Sequence, residues 1–117
     1  MVKVKTFKTD GSNTSGIATD SATGLSFWQP LRDIRIIDLS QPSCGTRAND
    51  ADWKIYANGL ETDYFFLAEE LDPEVKAGRS VVAPDGIVVK AGTKLQFKWS
   101  GQASAAVNYL KIYYVEL

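Results

Sequence analysis

The densest cluster of groups able to move a proton or hold a cation is Glu69, Glu70, Asp72 and Glu74. Two carboxylates side by side can serve as acid and base or bind calcium through oxygen. Adjacent acids in a polar stretch more often form a solvated face, and that is the reading favoured here. Asn49-Asp50-Ala51-Asp52 resembles the opening of a calcium loop, but Lys54 and Leu60 stand where the sixth-position Gly and twelfth-position Glu belong. The single Cys44 has no His to activate it, because the chain of 117 residues contains none. That absence excludes Ser/His/Asp and Cys/His nucleophiles, imidazole metal ligands and histidine proton switches. A lone Cys forms neither an internal disulfide nor a thiolate zinc cage. Gly11 and Gly16 sit in a Ser/Thr-rich stretch with no following helix, so no phosphate cradle is expected. The census predicts a protein that is not an enzyme, with no cofactor, no catalytic residue and no metal site.

Aromatic rings are the better candidates for binding, since a flat ring offers large contact area at low entropy cost. Trp53, Tyr64 and Trp99 alternate with polar residues and are expected inside, which leaves Trp28 and Tyr56 as possible ligand-stacking rings. The C-terminal run is unusual. Tyr109, Tyr113 and Val115 share one face of a strand while Leu110, Ile112 and Tyr114 share the other, so both faces are apolar. A sandwich fills only one of them with core. Burying the other against a copy of the same chain avoids an exposed apolar patch, and these six residues are the expected oligomer interface.

The elements that must position these residues read as short strands. Val2 and Val4 alternate with Lys3 and Lys5, the pattern of an edge strand guarded by lysines. Residues 9–24 (TDGSNTSGIATDSATG) carry one large apolar side chain, Ile17, and are expected to be a flexible loop or an arm that orders against something else. Leu31–Leu39 switches parity between Ile36 and Ile37, which marks a bulge or a strand covered on both faces. Asn58-Gly59 predicts a type I′ hairpin, with Ala57 opposite Leu60, Tyr56 opposite Glu61, Ile55 opposite Thr62, Lys54 opposite Asp63 and Trp53 opposite Tyr64. Leu67–Gly78 is the only helical candidate, with Asp72 as N-cap and Pro73 in the first turn, and has room for little more than one turn. Val81–Ala83, Ile87–Val89, Leu95–Trp99 and Val107–Leu117 complete the inventory. About eight short strands in one domain spanning 1–117 predict an all-β antiparallel β-sandwich, jelly-roll-like, with at most one short helical turn.

Lys and Arg total 13 against 14 Asp and Glu, a formal charge of −1, which argues against a nucleic-acid partner. No apolar run has the length of a signal peptide or approaches the roughly 20 residues that span a bilayer, so no membrane is expected.

From Asp52 onward (DWKIYANGLETDYFF, then GIVVKAGTKLQFKW, then a long terminal strand) the chain resembles the small jelly-roll structural proteins of bacteriophages and other viruses, modules that decorate, cement or spike a capsid. The resemblance implies a virion protein made in the host cytoplasm, non-enzymatic, acting as a homo-oligomer (a trimer) on a capsid protein. The alternative is a carbohydrate- or receptor-binding sandwich with glycan as partner.

Overall fold

The computed structural model describes residues 1–43, 49–103 and 105–117. Its strands are β1 (Lys3–Lys8), β2 (Gly16–Ile17), β3 (Thr19–Asp20), β4 (Ile34–Ser40), β5 (Asp52–Ala57), β6 (Leu60–Phe66), β7 (Ile87–Val89), β8 (Leu95–Ser100) and β9 (Tyr109–Glu116). Two short helices, α1 (Ala68–Leu71) and α2 (Pro73–Lys76), lie between β6 and β7. All ladders are antiparallel and form a five-stranded sheet, β3-β1-β9-β4-β7, and a four-stranded sheet, β2-β8-β5-β6. With β3 set aside, β1 pairs with β9, β2 with β8, β4 with β7 and β5 with β6, a nested set of hairpin partners rolled into two sheets. This is the strand order of a jelly roll. The expected fold class is therefore correct, with nine strands among the described residues rather than about eight and two short helices rather than one turn.

Apolar side chains from both sheets meet between them: Phe7, Ile36, Leu39, Leu110 and Ile112 from one, Trp53, Ile55, Phe97 and Trp99 from the other. Phe7 and Phe97 touch across the gap with ring centroids 4.7 Å apart. Phe7 also fixes the parity of β1. It faces inward opposite Leu110, so Lys3 and Lys5 share its face, and Val2 and Val4 are turned to water, the reverse of what their alternation suggests. One deeply buried aromatic outweighs two valines near a chain end.

The parity switch in β4 is a bulge. Ile36 opposes Tyr114 and Asp38 opposes Tyr113, which leaves Ile37 as an extra residue. The end of α2 and the segment that follows clamp the bulge. Lys76 Nζ donates to Asp38 Oδ2 at 2.7 Å and to the Leu39 carbonyl at 2.7 Å, and the Ser80 hydroxyl donates to the Ile37 carbonyl at 2.6 Å. Asp72 caps α2 as its sequence position predicts, accepting from the Glu74 N–H at 2.9 Å. Val81–Ala83 forms no strand but packs Val81 and Val82 against the core.

The hairpin turns at Asn58 (φ 53°) and Gly59 (φ 80°), both in the left-handed region that a type I′ turn needs. Ala57 opposes Leu60 and Tyr56 opposes Glu61 as expected, but then the register shifts, and Lys54 opposes Phe65 and Trp53 opposes Phe66. Three residues, Thr62 to Tyr64, therefore face Ile55 alone. The Thr62 hydroxyl fills the gap by donating to the Ile55 carbonyl at 2.7 Å. Lys54 finds its carboxylate two residues nearer the turn than expected, on Glu61.

Residues 9–24, expected to lack structure of their own, order against the chain itself. They cross from β1 to the four-stranded sheet as β2 and return to the five-stranded sheet as β3, with Ala18 fully buried at the crossing and its N–H donating to the Phe97 carbonyl at 2.8 Å. Gly16 permits this: a Cβ there would stand 2.7 Å from Cη2 of the buried Trp99 ring.

Candidate functional site

β9 lies at the centre of the five-stranded sheet, paired with β1 on one side and β4 on the other, so its backbone is fully engaged and only its faces can act. Leu110 and Ile112 are completely buried and Tyr114 leans inward against Trp28, ring centroids 4.8 Å apart. These three build the interior, and Leu110 and Ile112 have no surface to offer a partner, which corrects their assignment to an interface. Tyr109, Tyr113 and Val115 face outward. Counting across the ladders sets Val4 of β1 beside Tyr113, and Arg35 of β4 between Val115 and Val88 of β7. Tyr109, Val4 and Val88 are 46%, 51% and 53% exposed. Together they make an apolar band across the sheet, interrupted by Lys111 on β9 and Arg35 on β4 and bordered by Lys8 on β1. Val4 and Val88 were missed because their exposure depends on the parity of β1 and on the pairing of β7, neither of which local alternation settles. Tyr113 is also held in place: the Ser40 hydroxyl approaches its phenol oxygen at 3.4 Å.

The two candidate stacking rings do not converge. Trp28 joins the four-stranded sheet through a bridge to Leu95 and plugs the space beside Tyr114, with Lys5 Nζ 5.6 Å from its ring. Tyr56 lies on the outer face of the four-stranded sheet with Lys98 Nζ 3.9 Å from its ring centroid, so that face already carries a cation.

The acidic cluster is occupied with local structure. Glu70 accepts from the Leu67 N–H at 3.0 Å and Asp72 caps α2, while Asp52 accepts from the Ala68 N–H at 2.8 Å. Among the described residues no three acidic or cysteine side chains converge in a way that would hold a metal ion. Cys44 lies outside the described residues. Also among them, no helix is long and apolar enough to cross a membrane.

Burial and hydrogen bonding concentrate instead at the crossing of 9–24. Asp20, nearly buried, has an ion pair with Lys5 at 2.6 Å. Desolvation raises its carboxyl pKa, but the Lys5 ammonium and the Ala22 N–H outweigh that and hold it below the usual carboxylate value. Gln102 donates from Nε2 to the carbonyls of Asp10, Asn13 and Ala106 at 3.0, 2.8 and 3.1 Å and accepts from Asn108 Nδ2 at 2.8 Å. These groups tie loops together and offer no open chemistry.

The class that fold and surface define is a jelly-roll β-sandwich with an apolar band on its larger sheet. Comparison of the chain with protein-family models, with curated proteins and with solved structures returns no match.

Proposed function

We propose that this protein is a non-catalytic structural subunit that associates with copies of itself through the outer face of the five-stranded sheet, in the manner of the jelly-roll modules that decorate or spike a virus particle. One observation carries the self-association: Tyr109, Tyr113 and Val115 of the central strand face outward together with Val4 of β1 and Val88 of β7, with Lys111 and Arg35 set between them. Exposed apolar side chains gathered on one face and set among charges suit a contact with another protein surface. Closed cyclic symmetry, with three copies as the viral resemblance suggests, buries that face without leaving a free end. The rings expected to stack on sugar are engaged by Tyr114 and Lys98, which favours protein contact over glycan.

Sedimentation velocity at micromolar concentration tests this. The wild type is expected to sediment as a discrete oligomer, and Tyr109→Glu and Val4→Glu, both at exposed positions, should each shift it toward monomer without lowering the melting temperature. A monomeric wild type would refute the proposal, and an oligomer indifferent to both substitutions would move the contact elsewhere. Co-sedimentation with capsid particles, lost in the same variants, is the expected outcome for the viral role.

A further inference from the structure

On the flank between β6 and β7 the core reaches the surface. The register shift in β6 and the three-residue length of β7 leave a gap between the sheets there, a cleft of about 270 Å³ walled by Ile36, Ile55, Ala57, Ile87 and Leu95. The polar residues of its lining are Thr62, Tyr64, Lys90 and Thr93. The Thr62 hydroxyl is spent on the Ile55 carbonyl, and the Lys90 side chain is 81% exposed, so the depth of the cleft has aliphatic walls and the charge stands at its mouth.

We propose that this cleft binds the tail of an unbranched aliphatic carboxylate, with the head group beside Lys90. A polar group carried against the aliphatic walls would lose its hydration, so hydrocarbon suits the enclosed part. An apolar cavity of about 150 Å³ stays dry and admits benzene, and this one is nearly twice that, room for a chain of roughly eight to ten carbons. An anionic head follows from Lys90, the single charged residue of the lining. Asp33 Oδ2 lies 3.7 Å from Lys90 Nζ and already neutralises part of its charge, so the tail supplies most of the affinity and the head a minor share. The cleft shares only Val88 with the self-association face proposed above.

Methyl NMR of the full chain with hexanoate, octanoate and decanoate tests it. Decanoate is expected to shift the methyls of Ile36, Ile55 and Ile87 saturably and to leave those of the buried Ile112 much less affected. Affinity should rise about fourfold per added methylene. Lys90→Glu, on the surface, should weaken decanoate about threefold to fivefold and not weaken decyltrimethylammonium, and Ala57→Phe, which fills the cleft, should weaken both at least tenfold. No saturable shift at millimolar decanoate, or no dependence on chain length, would overturn the proposal. So would methyl shifts that follow protein concentration without ligand, because a second copy would then be the occupant. Binding to phosphatidylglycerol vesicles without binding of free decanoate would overturn it equally.

Discussion

The two flanks of the sandwich are closed by different means. On the β1–β2 side the chain itself crosses between the sheets at Ala18, and Gln102 and Asn108 bind the adjoining loops from inside. On the β6–β7 side no strand crosses among the described residues, the hairpin register slips at Ile55, and a cleft remains. Residues 9–24, poor in apolar side chains, therefore make the tighter seal, and the apolar alternating hairpin borders the looser one. Hydrogen bonds to buried backbone groups can order a segment that burial alone would not, because leaving those groups unpaired costs more than ordering the chain around them.

The sharpest break of this contrast is Gln102→Leu. It removes the donor to three carbonyls and one of the two acceptors of Asn108 Nδ2, and should destabilise the domain by about 3 kcal/mol in urea unfolding. Amide exchange of Ala18, whose N–H bonds to Phe97, should accelerate in parallel. A variant as stable as the wild type would show that the polar network is not what seals that flank.

Gly59→Val tests the looser side. It forces a β-branched residue to φ near 80° in the turn, with an expected loss of about 1 to 3 kcal/mol. Because nothing lies within 4 Å of the Cβ position, the loss should come from backbone strain and not from a clash, so Gly59→Asn should recover most of it. Equal losses for Val and Asn would mean that the left-handed turn is not the cause.

The smallest expected effect returns to the sealed flank. The pKa of Asp20 in the folded state lies below its ordinary value of 3.8, so its contribution is present above that pH and is lost as pH falls through the folded value. Asp20→Asn should destabilise the domain more at neutral pH than in strong acid, so its stability should change less than that of the wild type as pH falls below about 4. Parallel curves would remove Asp20 from the acid response.

Much of this was legible locally. The Asn58-Gly59 turn, the Asp72-Pro73 cap, the bulge beside Ile37 and the two-sided apolar character of β9 depend on neighbours close in sequence or on a two-residue period, which steric rules read directly. The predominance of short strands followed from the same periods, whereas β2 and β3, inside the polar segment, did not. Other features depend on partners distant in the chain. Lys54 takes Glu61 and not Asp63 because Phe66 sinks beside Trp53 and drags the register with it. Val4 faces water because Phe7, three residues on, is claimed by Leu110 and Phe97. Which face of β9 became core was open in the sequence, since Leu110/Ile112 and Tyr109/Tyr113 are both apolar pairs. Only packing decided it: the branched aliphatic pair fits the closed space between the sheets, and the tyrosines keep their hydroxyls within reach of water on the outside.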